Sequence, residues 1–160
     1  MSAATTPATP GHGSTLPTGS FLMPALQHAS VSDAMHPGVI SCDPEASATE
    51  LARVMSGQHV HCVVAMGVAH DPSGESLVWG MITDLDLIRA GLAGGAEQTA
   101  RTMAHHPTVT VEPATPLREA AELMLAEGVS HVLVVEPRGQ RPVGVLSSLD
   151  VAGVMAWAEL

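Results

Sequence analysis

The chain has no lysine, no asparagine and no tyrosine, and one phenylalanine and two tryptophans are its only other large aromatics. Without lysine it forms neither a Walker A phosphate loop nor a Schiff base, and without asparagine it carries no N-glycosylation acceptor. So few aromatics build no stacking platform for single-stranded nucleic acid. All six basic residues are arginine, against sixteen Asp and Glu, for a net charge of −10. That sign repels phosphate backbones and argues against nucleic-acid binding. The charge divides as −6 over residues 1–95 and −4 over 96–160, so neither half is basic. Two cysteines, Cys42 and Cys62, form no CxxC and read as free buried thiols. No apolar run approaches the ~18 residues of a membrane span. The first arginine, Arg53, comes too late for a positively charged leader. A soluble cytoplasmic protein without membrane contact is expected.

What is present is Val, Leu, Ile, Ala and Met, which carry most of a 46% hydrophobic share and a mean hydropathy of +0.26. A length of 160 residues is one domain, or two very small ones. Residues 1–25 are dense in Thr, Pro, Gly, Ser and Ala with no charged side chain, and read as a disordered tail. Beyond them the chain repeats itself. Pro44, Glu50, Ala52, Met55 and Val60 return as Pro113, Glu119, Ala121, Met124 and Val129, each 69 residues later. GMITDLDL from Gly80 returns as GVLSSLDV from Gly144, now 64 residues later because the first copy has the longer internal loop. Two copies of one unit follow, a first repeat over 26–95 and a second over 96–160.

Each copy opens with a short β-branched run, 39–42 and 108–111, which predicts a brief strand. Ala48, Leu51, Ala52 and Met55 then fall at i, i+3, i+4 and i+7, as do Leu117, Ala120, Ala121 and Met124. This is the apolar stripe of an amphipathic helix. Ser47 with Glu50 has capping-box spacing, and Thr115 followed by Pro116 offers an N-cap and an N1 proline. Apolar runs at 60–66 and 77–82, and at 129–135 and 143–146, predict two more strands per copy. Asp71-Pro72-Ser73-Gly74 is the first copy's turn between them. A helix closes each unit, over 84–92 and 148–158. The expected order is strand, helix, strand, strand, helix, and about 60 residues per copy is too small to be comfortable alone, so the copies should share a core.

The turn after each third strand reads Thr83-Asp84-Leu85-Asp86 and Ser147-Ser148-Leu149-Asp150. A hydroxyl residue where a strand hands over to a helix sits beside unpaired N–H groups and suits a phosphate. A carboxylate three residues later lies on the same helical face and accepts two hydrogen bonds, as the 2′ and 3′ hydroxyls of a ribose require. The same residues serve equally well as plain N-caps with acids in the first turn. Chemistry alone leaves both readings open. Nine histidines are present; His59 and His61, two apart, would share one face of a strand, but no third or fourth metal ligand is in view, so no metal is assigned. His105-His106 before Pro107 reads as an exposed loop. No GxSxG, HExxH or GxGxxG occurs, and no enzyme activity is expected.

With these motifs the sequence resembles a tandem pair of cystathionine-β-synthase (CBS) domains, the Bateman module, over roughly residues 30–158. The resemblance rests on Val31-Ser32-Asp33-Ala34-Met35 and Ala100-Arg101-Thr102-Met103 ahead of the two copies, Glu127-Gly128-Val129-Ser130-His131 before a strand, and the two Gly-x-x-Thr/Ser-x-x-Asp signatures. It implies an α/β (α+β) fold of two β-α-β-β-α units packed as a pseudo-twofold pair, dimerising into a disc. It implies a stand-alone regulatory module that takes AMP, ADP, ATP or S-adenosylmethionine as a regulatory ligand between the copies, requires no cofactor, and signals to an unidentified protein. By the same resemblance Asp86 and Asp150 hold ribose, Thr83, Ser147 and His61 contact phosphate, and Ile40 and Val109 flank adenine. The position that often holds a cation is His61 in the first copy and Ser130 in the second, which favours a ligand of low charge. The alternative is a protein-interaction module with vestigial clefts. On the ligand reading, Asp86→Ala and Asp150→Ala remove ligand stabilisation and leave the fold intact.

Overall fold

The computed structural model describes residues 24–70, 77–104, 108–138 and 141–157. The turn at Asp71 to Gly74, the His105-His106 loop and the tail up to residue 23 lie outside them. The tail's last two residues, Pro24 and Ala25, open helix α1 (Pro24–His28).

The two copies fold alike. In the first, β2 (Ser41–Cys42) runs parallel to β3 (Cys62–His70) through the crossover helix α3 (Ala48–Gln58). There β3 pairs antiparallel with β4 (Leu77–Thr83), and α4 (Asp84–Leu92) follows. In the second, β5 (Thr110–Val111), α6 (Leu117–Glu127), β6 (His131–Val135), β7 (Pro142–Ser147) and α7 (Ser148–Trp157) repeat the pattern. The opening strands are shorter than the β-branched runs predict. The chain nonetheless keeps running beside its neighbour, since Ile40 and Val109 accept hydrogen bonds from Val64 and Leu133 at 2.9 and 3.0 Å.

Alternation within β3 and β6 explains why both read as unbroken apolar runs. Val63 and Ala65 face Leu51, Met55 and Ile82, while Val132 and Val134 face Leu117, Met124 and Leu146. Between them Val64 and Leu133 point the other way and meet, with Met81 and Val135, in a third cluster that joins the two sheets. The stripe residues Met55 and Met124 are both 5% exposed and serve as packing.

The leading segments are exchanged between the copies. Besides α1, the first copy is preceded by α2 (Val31–Ala34) and β1 (His36–Pro37), yet β1 pairs with β7, and Leu26 and Val31 are buried among the second copy's side chains. Helix α5 (Ala100–Met103), ahead of the second copy, buries Ala100 against Leu51, Val63 and Ile82 of the first. The exchange is reciprocal at the helix starts: Leu117 N–H donates to Ala29 O at 2.9 Å and Ala48 N–H to Gln98 O at 2.8 Å.

Ser47 and Glu50 form the expected capping box: the Glu50 carboxylate accepts the Ser47 N–H at 2.7 Å and the Ser47 hydroxyl accepts the Glu50 N–H at 3.3 Å. The carboxylate also accepts the Ser47 hydroxyl at 2.8 Å, and the two bonds it accepts, the backbone one foremost, hold the Glu50 carboxyl below its usual range. At α6 the expected start moves by one residue. Pro116 is itself the N-cap, and the Thr115 hydroxyl accepts the Glu112 N–H at 3.1 Å instead. The Ala29 carbonyl has taken the first helical donor, so the cap hydroxyl is not needed there.

Gly144 marks how closely the exchanged segment lies on β7. A Cβ at this position would sit 2.6 Å from the His36 carbonyl oxygen and 3.0 Å from Met35 Sδ. Backbone cannot yield as a side chain does, so Gly144→Ala should cost about 1–3 kcal/mol. Thermal unfolding of the ligand-free variant should show a fall of several degrees; an unchanged melting temperature would mean that β1 is free to shift.

Candidate functional site

Both strand-to-helix turns carry the same hydrogen-bonded unit. Asp86 Oδ2 accepts the Thr83 N–H at 2.8 Å and the Thr83 hydroxyl at 2.7 Å. Asp150 Oδ2 accepts the Ser147 N–H and hydroxyl, both at 2.7 Å. This is the capping-box chemistry of Ser47–Glu50, so one carboxylate oxygen of each acid serves its own helix start. The two acids differ from Glu50 in the remaining oxygen. Asp86, 6% exposed, directs Oδ1 to the Arg89 guanidinium at 2.8 Å. Asp150, its side chain 11% exposed, directs Oδ1 to His36 Nδ1 at 3.2 Å. The turns are therefore not equivalent: one acid faces a permanent cation on its own helix, the other a histidine that arrives on the exchanged strand β1.

A cleft of about 240 Å³ opens at the first turn. Thr83, Met81, Leu85 and Arg89 of the first copy line one side, and Thr108, Val109, Ser130 and His131 of the second line the other. Two expected site residues, Thr83 and Val109, are thus brought together from opposite copies. Thr108 also donates from its hydroxyl to Trp79 O at 2.9 Å, tying the cleft's far wall to β4. Ile40, the first copy's counterpart of Val109, packs partly buried against the Leu51–Val63 core.

His61 stands beside this cleft but not as a strand residue. It precedes β3, donates from Nδ1 to Asp84 Oδ2 at 2.8 Å, and its ring stacks on His131 with centroids 6.5 Å apart. His59 is the C-cap of α3, in the left-handed region at φ 55°. The shared strand face expected for His59 and His61 is therefore not formed, because the helix runs on to Gln58 and reverses at His59 before the strand begins. Among the described residues no group of three or more His, Cys, Asp or Glu side chains is placed to hold a metal ion. Cys42 and Cys62 are free and half-buried, less enclosed than expected. Burial is the main cause that pushes each thiol up to about 11, so neither is a thiolate nucleophile at neutral pH. No helix among the described residues is long and apolar enough to cross a membrane.

His131 is the cleft residue that sequence reasoning missed. It opens β6 next to Ser130, the repeat counterpart of His61, and is half-buried with Nδ1 3.0 Å from Ser130 Oγ. Burial chiefly holds it below the ordinary histidine range; His61 adds to this, while Asp84 and Asp150 oppose it. Its place as the last residue of the Glu127–His131 approach to the strand was the available signal.

A family model described as CBS domain matches the chain twice, over residues 31–93 and 100–156. No curated protein matches it. Among solved structures the chain is similar to the CBS domain pair of protein MJ0100 in complex with 5′-methylthioadenosine and S-adenosyl-L-methionine. The TM-score is 0.67 at 23% identity, covering 80% of this chain and 96% of that one. It is similar to CBSX2 in complex with AMP, with TM-score 0.65 and 19% identity over 82% and 98% of the two chains. It is also similar to Hypoxic Response Protein I with two coordinated zinc ions, with TM-score 0.60 and 24% identity over 78% and 98%.

Proposed function

The chain belongs to the CBS domain family, its two matches spanning both copies, and from that membership we propose that it is a regulatory module that binds an adenosyl ligand between the copies and passes the bound state to a protein partner. The observation that carries this reading is the cleft in which Thr83, Leu85 and Arg89 of one copy face Val109, Ser130 and His131 of the other, with Asp86 behind Thr83 and hydrogen-bonded to it. Thr83 supplies a hydroxyl at a helix start, Asp86 a carboxylate for ribose, and Val109 an apolar wall for the base. Similar structures hold AMP, or 5′-methylthioadenosine with S-adenosyl-L-methionine. A volume of about 240 Å³ lies below the ~300–1,000 Å³ of most ligand sites. It suits a nucleoside with a short 5′ substituent better than ADP or ATP. Because the cleft has walls from both copies, a ligand there favours the arrangement it fits, by no more than its difference in affinity for the two states.

Leu85, Ile88 and Leu92 lie along one face of α4 and are more than half exposed, as is Leu149 on α7. This stripe supports assembly with a second copy. The second reading, an interaction module with vestigial clefts, is favoured by one observation: both acids are already satisfied within the protein, Asp86 by Thr83 and Arg89, Asp150 by Ser147 and His36.

Thermal melting with AMP, ADP, ATP, adenosine, NADH and S-adenosylmethionine separates the two. A ligand at ~100 times its dissociation constant stabilises by about 2.7 kcal/mol, a rise of several degrees. A selective rise is expected with AMP or S-adenosylmethionine. No rise with any of the six would leave the interaction module.

A further inference from the structure

Of the side chains lining the cleft only Arg89 and His131 are ionisable, and Arg89 is a permanent cation, which leaves His131 as the one that can gain or lose a proton. It sits beside Ser130 on the second copy's wall of the cleft, across from Thr83, with the His61 ring 6.5 Å away. The charged groups about it are Asp84, which pairs with His61, Asp150 on α7, which pairs with His36, and the Asp86–Arg89 pair on α4. Three carboxylates thus stand against one permanent cation, Arg89. The surroundings of a neutral His131 are therefore electronegative and oppose a phosphate.

We infer that His131 selects the charge of the ligand in this cleft: neutral, it leaves the cleft to an uncharged or cationic adenosyl compound, and protonated, it admits a phosphorylated one. The inference rests on the adenosyl reading above and names the charge class that the same cleft takes. A cation brought within a few ångströms of a phosphate in a half-buried cleft is screened far less than one at the surface. Ser130, hydrogen-bonded to the His131 ring, fixes the imidazole on the cleft wall, and the stacked His61 ring limits its swing. Burial holds the proton off His131 near neutrality, so the change comes on acidification. Binding linkage works in both directions: if the proton favours the phosphate, the phosphate must favour the proton.

Titration calorimetry of the full chain with AMP and with 5′-methylthioadenosine, at about pH 5.5 and about pH 8, tests this in wild type and His131→Gln. The ratio of AMP affinity to methylthioadenosine affinity should rise about tenfold or more on acidification in wild type. In His131→Gln it should stay flat or fall, because the AMP phosphate takes up its own second proton near ~6. A wild-type ratio that ignores pH, or a variant that keeps the wild-type dependence, overturns the inference and leaves the adenosyl reading standing. Failure of both ligands to bind at either pH overturns both. Should the variant not fold, the His131 imidazole is titrated by NMR in wild type: AMP must raise its midpoint and methylthioadenosine must not, and an unmoved midpoint with AMP bound rejects the proposal.

Discussion

Asp86→Ala should abolish the melting shift given by an adenosyl ligand and also lower the melting temperature of the ligand-free protein. The second effect departs from what the sequence suggests, and its cause is structural. Asp86 is 6% exposed and accepts from the Thr83 N–H, the Thr83 hydroxyl and the Arg89 guanidinium. Truncation leaves the helix cap unmade and the Thr83 N–H without its acceptor, a loss of about 1–3 kcal/mol. Asp86→Asn separates the two roles. An amide oxygen still accepts the Thr83 N–H, so stability should stay within about 1 kcal/mol of wild type. The ribose, however, loses a charged acceptor, and affinity should fall about tenfold or more, against about a hundredfold for the alanine variant. Calorimetry on both variants beside their ligand-free melts checks this; an Asn variant that binds as wild type does would remove ribose from the role of Asp86.

Leu133→Ala should give the largest loss of stability, about 2–5 kcal/mol and a fall in melting temperature on the order of ten degrees. Leu133 is fully buried and packs with Val64, Met81 and Val135 in the cluster that joins the two sheets. Met81 of that cluster also lines the cleft. The cavity left by truncation therefore opens beside the ligand and between the copies. Leu146→Ala, equally buried but within the second copy's own core, should cost a similar amount of stability. Denaturant unfolding gives both costs, and calorimetry should show ligand affinity reduced in Leu133→Ala alone. Equal affinities in the two variants would mean that the inter-sheet cluster does not shape the cleft.

What the sequence determined was local. The Leu51–Met55 and Leu117–Met124 stripes, the Ser47–Glu50 box and the helix starts at Asp84 and Ser148 all rest on residues three or four apart, where spacing translates directly into contact. The duplication added the pairing of the copies, because a unit of this size cannot enclose Val64 and Leu133 by itself. The tertiary structure decided everything that depends on which distant segment reaches a given spot. It placed His36 against Asp150 and Ala100 against Leu51 by exchanging the leading segments. It moved the α6 cap from Thr115 to Pro116 by bringing in the Ala29 carbonyl, and it turned His59 into a left-handed helix stop. It also set His131 of one copy across from Thr83 of the other. None of these has a periodicity to read: each follows from long-range packing that buries apolar faces first and leaves polar side chains to meet whatever the packing brings beside them.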